Sequence, residues 1–191
     1  MKKIVVLFSG TGTNFEYLAK KLHNKEVQIA LAITNKKDAL GIEVAKRYNI
    51  PYKIVDNTLY TTREEFDKEL VKIIKKISPD LTILAGFMRI LTPIFTTNIK
   101  AINLHPSLLP RHKGLHAIKR SFEDKFDKGG VSVHYVTSEL DGGEIILQKA
   151  INKNGLSFDE YYSKIRNIEK EALLEATLKV LKEEKWENYW L

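Results

Sequence analysis

The sequence predicts an α/β domain with a mostly parallel central sheet, helices on both faces and an antiparallel edge in the C-terminal half. Three observations point there. Short β-branched runs alternate with amphipathic stretches through the first hundred residues. A glycine-rich turn follows the first of those runs. After residue 129 two strand-like runs follow one another with no helix between them.

Taken in order, "KIVVLFS" (3–9), "VQIALAIT" (27–34), "YKIVD" (52–56), "LTILAG" (81–86) and "AINL" (101–104) read as strands. Between them, "FEYLAKKLHN" (15–24), "ALGIEVAKRY" (39–48) and "TTREEFDKELVKIIKKI" (61–77) place apolar residues at three- and four-residue steps, the period of a helix. Runs that are apolar on both faces and separated by helices fit a parallel sheet covered on two sides. Thr61-x-x-Glu64 and Ser157-x-x-Glu160 match the capping-box pattern and mark helix starts. "GVSVHYVTS" (130–138) and "EIILQKAIN" (144–152) read as paired strands joined through "ELDGG", whose Asp-Gly predicts a tight turn. A helix from about 157 to 184 closes the fold.

The 191 residues, 43% of them hydrophobic, suffice for one substantial core, and no repeat, low-complexity tract or linker divides them, so 1–191 is expected to be one domain. Lys+Arg 31 against Asp+Glu 24 leaves a net charge of +7. Paired lysines at 20–21, 36–37 and 75–76 are scattered, which reads as a solvated surface more than a binding stripe. Without cysteine there are no disulfides, thiolate nucleophiles or common structural zinc sites. The apolar run Ile4–Phe8 is too short for a signal sequence and meets a glycine loop, and no stretch approaches the roughly 18 apolar residues of a membrane span. A cytoplasmic location, with no membrane association, is expected.

"SGTGTN" (9–14) lies where a strand hands over to a helix, so free backbone N–H groups and the helix dipole favour an anion there. A dinucleotide fingerprint would need glycine where Phe15 stands and an acidic residue after the second strand, where "ITNKK" has none. A Walker loop would need Gly-Lys-Ser/Thr. What remains is a short phosphate cradle of Gly12, Thr13 and the candidate N-cap Asn14, or a plain capped turn with no ligand.

Within "AINLHPSLLPRHKG" (101–114), Asn103 and His105 are two apart on a strand and share a face, and Pro106 ends the ladder beyond them. An amide donor beside a titratable imidazole suits acyl chemistry, in which an oxyanion must be stabilised and a proton moved. Asp141, in "ELDGG", is the candidate carboxylate to orient His105 and keep it charged near neutrality. Taken singly, a structural histidine and an ordinary Asp-Gly turn account for each as well.

The segments "SGTGTN", "LAGFMRIL" (84–91), "INLHPSLLP" (102–110), "KGLHA" (113–117) and "SVHYVTSELDGG" (132–143) resemble, in order, those of the folate-dependent formyltransferases. "GTGTN" with "GLHA" places the resemblance in the glycinamide ribonucleotide branch, the phosphoribosylglycinamide formyltransferases of purine biosynthesis. The resemblance implies a Rossmann-like fold, with 1–100 a phosphate- and nucleotide-binding half and 101–191 a catalytic and folate-binding half. It implies transfer of the formyl group of 10-formyltetrahydrofolate, as co-substrate, to the amine of glycinamide ribonucleotide, with no metal and no covalent enzyme intermediate. Asn103, His105 and Asp141 would be the catalytic trio, with Asn103 and protonated His105 on the oxyanion and Asp141 holding His105 charged.

By the same resemblance Gly12, Thr13 and Asn14 would hold the substrate phosphate and Glu169 the ribose. Met88, Arg89, Ile90 and Leu91, at a strand end, would line the folate pocket, and Arg63 would meet the folate's glutamate tail. His116, at a helix start, is expected to border the site. His134 is expected to be a packed residue outside the catalytic set, and His23 and His112 to lie on the surface.

The alternatives are formylation of another amine, such as methionyl-tRNA or an amino sugar, formyl-folate hydrolysis, or a non-catalytic nucleotide- or RNA-binding module. The tRNA enzyme adds a nucleic-acid-binding domain for which the 191 residues leave no room, and an RNA module would interleave a basic stripe with aromatics, which is absent here. No nucleic-acid partner is expected, and the protein is expected to be a monomer or homodimer.

Overall fold

The computed structural model describes residues 1–183. Its strands are β1 (Lys2–Phe8), β2 (Val27–Thr34), β3 (Tyr52–Ile54), β4 (Leu81–Leu84), β5 (Ala101–His105), β6 (Lys128–Tyr135) and β7 (Ile145–Asn152). They form one sheet in the order β3-β2-β1-β4-β5-β6-β7. The pairings from β3 to β5 are parallel, and β5–β6 and β6–β7 are antiparallel. The chain builds outward from β1 to β3 and then returns to lay β4 on the other side of β1. That reversal opens a crevice at the carboxyl ends of β1 and β4, the usual ligand position in open α/β sheets.

The helices are α1 (Thr13–Leu22), α2 (Gly41–Arg47), α3 (Arg63–Ile77), α4 (Pro93–Thr96), α5 (Ala117–Glu123) and α6 (Phe158–Lys182). Alternation along β1 assigns them to two layers. Ile4, Val6 and Phe8 pack with Phe15 and Leu18 of α1, Ile42 and Val44 of α2, and Tyr161 and Ile165 of α6. Val5 and Leu7 face Phe66, Leu70 and Ile74 of α3 and Phe95 of α4. From Ile4 to Phe8 both faces of β1 are therefore apolar, as a covered parallel strand requires.

Several boundaries differ from the sequence expectation. The box that starts α3 is Thr62 with Glu65, one residue later than Thr61 and Glu64, and it binds the Thr61 N–H as well. The Ser157–Glu160 box opens α6 as expected; this helix ends at Lys182, and the expected end at 184 lies outside the described residues. Asn14 is not the N-cap of α1: Gly12 takes that place at φ 73, and Asn14 is buried within the first turn. "ELDGG" is part of a longer connection, 136–144, so β6 and β7 are not joined by a two-residue turn. "FMRIL" is the irregular segment that follows β4, not a strand end. The short helices α4 and α5 had no clear periodic signal in the sequence.

Candidate active site

β5 presents Asn103 and His105 on one face while Ile102 and Leu104 enter the core on the other. The antiparallel register of β6 sets His134 directly opposite Asn103. Asp141, in a left-handed conformation at φ 50, returns its carboxylate to the same place. Asp141 Oδ2 lies 3.4 Å from His105 Nδ1 and accepts the Gly114 N–H at 2.9 Å; Oδ1 lies 3.6 Å from His134 Nε2. Asn103 Nδ2 is 3.4 Å from His134 Nε2, and His134 Nδ1 donates to the Tyr135 carbonyl at 2.9 Å. Nε2 of His134 therefore faces both one N–H of Asn103 and the Asp141 carboxylate. The amide's other N–H has no protein acceptor among the described residues.

The three residues expected to converge are thus together, and His134 joins them instead of standing outside the set. Pairing β5 with β6 at the observed register was the one signal that could have placed it on the Asn103 face.

The charge expected on His105 is corrected. The ring is 6% exposed, and burial lowers its pKa by more than the His112 carbonyl and the Asp141 carboxylate raise it, with His134 and Arg120 adding repulsion. The resting site therefore favours neutral His105. For Asp141, burial alone would raise the pKa, but contact with His134, the Gly114 N–H and the nearby imidazoles hold it below the usual carboxylate range. His105 has an acceptor at each nitrogen, His112 O at 2.8 Å from Nε2 and Asp141 at Nδ1. Only the imidazolium satisfies both, so the geometry is prepared for a charge that desolvation withholds in the resting state.

At the carboxyl end of β1, α6 closes over the glycine turn. Glu169 is 3% exposed, accepts Arg166 Nη1 at 2.6 Å and hydrogen-bonds the side chain of Asn14; burial raises its pKa despite those partners. Arg166 Nη2 also reaches Thr13 Oγ1 at 3.1 Å. Arg166 was not anticipated, although its place one helical turn before Glu169 marks the same helix face. Asn14 is 7% exposed and its Oδ1 has no partner, a buried acceptor left unsatisfied beside the glycine turn.

The segment after β4 is held at both ends. Ser9 Oγ accepts the Met88 N–H at 2.8 Å and donates to Asn35, and Asp67 accepts the Thr92 N–H and hydroxyl at 2.6 and 2.7 Å. Met88 and Ile90 are 65% and 55% exposed, apolar groups kept in solvent. The Arg89 guanidinium lies 5.6 Å from the Phe66 ring centroid. Leu91 is buried in the same cluster as Phe87 and Phe95, so its side chain belongs to the core. Arg63 is the exposed first residue of α3.

Two more histidines are corrected. His23 is half-buried, and its Nδ1 accepts the Ile29 N–H at 3.1 Å. His112 is only partly exposed and bonds Asp124 through Nε2 at 2.6 Å. His116 occupies the N-cap position of α5, the helix start expected for it, without a side-chain capping bond. Among the described residues no group of three or more His, Cys, Asp or Glu is arranged to hold a metal ion, and no helix is long and apolar enough to cross a membrane.

An amide, two imidazoles and a carboxylate at the carboxyl ends of the parallel strands, on the side where the glycine turn opens α1, are the equipment of an α/β enzyme that works on a carbonyl carbon. The chain belongs to the formyl transferase family, which matches residues 2–177. It is 39% identical over 152 residues to the phosphoribosylglycinamide formyltransferase of Escherichia coli (strain K12), covering 78% of this chain and 72% of that protein. The Haemophilus influenzae enzyme of the same name is 39% identical over 155 residues, 79% of this chain and 73% of that protein. The crystal structure of phosphoribosylglycinamide formyltransferase from Campylobacter jejuni is 52% identical and superposes with a TM-score of 0.92, over 94% of this chain and 97% of that one.

Proposed function

We infer that this chain transfers the formyl group of 10-formyltetrahydrofolate to the amine of glycinamide ribonucleotide. The convergence of Asn103, His105 and Asp141 at the rim of β5 carries the assignment of roles. The substrate amine attacks the formyl carbon and the carbonyl oxygen becomes an oxyanion. The unclaimed N–H of Asn103 meets that charge directly, and the positive charge of a protonated His105, its two N–H groups held by the His112 carbonyl and the Asp141 carboxylate, stabilises it through space. Collapse breaks the bond from the formyl carbon to N10 of the folate. The amine loses one proton and N10 gains one, with His105 the nearest group able to pass it.

The site's electrostatics fit that sequence. Desolvation keeps His105 neutral at rest, and a developing negative charge beside the ring raises its proton affinity as the intermediate forms. The start of α1 with Gly12 and Thr13 would receive the substrate phosphate, and Arg166 adds a cation that now rests on Glu169. Glu169 and the unsatisfied Oδ1 of Asn14 are acceptors suited to ribose hydroxyls. Exposed Met88 and Ile90 would cover the folate ring, and Arg63 and Arg89 supply positive charge for its carboxylates.

The test mixes the protein with glycinamide ribonucleotide and a 10-formyl folate analogue and follows the absorbance of the deformylated folate. Absorbance change that needs no ribonucleotide would instead indicate hydrolysis. His105→Ala and Asp141→Asn are each expected to lower kcat by about 100-fold or more with circular dichroism unchanged. Wild-type rates in either variant would remove that residue from the mechanism.

A further inference from the structure

His105 is fixed at Nε2 by a backbone carbonyl, and that carbonyl belongs to a residue in an unfavourable conformation. His112 sits at φ 56, a left-handed geometry that a residue with a Cβ adopts only when its surroundings hold it. The hold comes from its own side chain. His112 Nε2 lies 2.6 Å from Asp124 Oδ2, just past the end of α5.

Asp124 is built in on every side. Lys153, 7% exposed, donates to Asp124 Oδ1 at 2.5 Å and to the carbonyls of Ser121, Phe122 and Asp124, closing the last turn of α5. The Phe126 N–H reaches Oδ1 at 2.9 Å, and Arg111 Nη1 reaches Oδ2 at 3.3 Å. Arg111 is tied again through its second nitrogen to the Lys128 carbonyl at 3.0 Å. Burial alone would raise the Asp124 pKa, but the hydrogen bonds from Lys153 and His112 bring it down to about 2, so the carboxylate is charged throughout the working range.

We propose that Asp124 is a positioning residue for His105, acting at one remove through the ring and the backbone carbonyl of His112. The anchored ring of His112 holds its carbonyl in place, the carbonyl accepts Nε2–H of His105, and the imidazole is thereby turned so that Nδ1 meets Asp141. The sheet fixes where His105 begins, since β5 ends there, and leaves the ring's rotation about its side-chain bonds to this second contact. The Asp124 cluster touches none of the catalytic trio directly. Its effect runs through one backbone oxygen.

Because the proposal rests on His105 being the proton-bearing group of the site, its test includes a reading of that ring without turnover. Replacing Asp124 would strand buried Lys153, so the link is cut at His112, whose removal leaves the Asp124–Lys153–Arg111 cluster intact. In the full-length protein with 15N-labelled histidine, assigned with His105→Asn, His112→Ala is expected to move the His105 Nδ1 and Nε2 signals. It is also expected to lower kcat about tenfold with KM for glycinamide ribonucleotide nearly unchanged, as misplacement of a reacting group does. His112→Gln, which keeps an N–H donor for Asp124, is expected to restore most of the loss. Wild-type kcat in His112→Ala would overturn the proposal, and so would a fall in kcat with the His105 signals unmoved. Failure of the wild-type protein to transfer formyl would overturn the assigned function, and the nitrogen signals would still report the positioning.

Discussion

Glu169, the residue proposed to meet the ribose, is kept against the interests of the fold. Its carboxylate is buried, and desolvation raises its pKa more than Arg166, Asn14 and Lys170 lower it. A group raised in the folded state lends stability below its unfolded value of 4.5 and loses it as pH climbs through the folded value, so near neutrality the charge weighs against the ligand-free protein. Glu169→Gln keeps the shape and an oxygen for Arg166 but does not titrate. The stability difference, variant minus wild type, is therefore expected to grow more positive from pH 4.5 to 8 in urea denaturation, while KM for glycinamide ribonucleotide rises. A difference that stays flat across that range would show the carboxylate to be better compensated than its burial suggests. From sequence alone Glu169 was available through a resemblance only; nothing in "RNIEKEA" says which side of α6 is dry. His105 makes the same point in reverse. A neighbouring carboxylate was legible in the chain, and the depth of burial that outweighs it was not, because desolvation depends on every element packed around the ring.

At the scale of elements, the first turn and the second helix depend on two glycines that touch. A Cβ on Gly12 would lie 2.7 Å from the Gly41 Cα, and one on Gly41 would meet the Phe8 ring at 2.5 Å. Gly12 also stands at φ 73, so a side chain there would carry backbone strain as well as a clash. Gly12→Ala is expected to cost about 2 kcal/mol in urea denaturation and to raise KM for the phosphorylated substrate, because the α1 start must shift. Gly10 serves as the control: its Cβ would meet nothing within 4 Å, so Gly10→Ala is expected to change stability by less than about 0.5 kcal/mol. Equal losses in the two variants would argue that the turn responds to any side chain and not to this close approach. Elements with a long period or a cap were legible, as the α3 and α6 boxes show to within a residue. Elements held by tertiary contacts were not. α4 and α5 are too short to show a period, and the bend that brings Asp141 back depends on contacts with His134 across the connection and with Gly114 far along the chain.

For the whole molecule, the order of strands explains why one end carries the chemistry. Reversal between β1 and β4 opens the crevice, and β5, entering next, brings Asn103 and His105 to the same carboxyl end of the parallel strands; the alternation of strands and helices predicted the parallel sheet but not this strand order. The same layout distributes acid sensitivity unevenly. His105, Asp124 and Asp141 all have depressed pKa values and all lie between β5 and the segment before β7. Each lends stability above its unfolded value, 6.5 for the histidine and 3.8 for the aspartates, and loses it as pH falls through the lower folded value, since the unfolded chain then binds the proton more readily. Asp67, on α3 and buried against Thr92, is raised by desolvation and carries the opposite sign, so acid relieves a cost there. Asp80 is exposed and Asp56 partly so, and solvent screens both; His23, half-buried at the end of α1, is the one histidine of the first half with the sign of His105. Acidification from pH 7 toward 3 is therefore expected to open residues 105–141 before β1 and β4, as a sub-global step. Hydrogen exchange with a labelling pulse at fixed pH, after incubation across that range, reads it directly. Simultaneous loss of protection in β1, β4 and β5 would mean that the shared sheet couples the halves more strongly than these charges divide them.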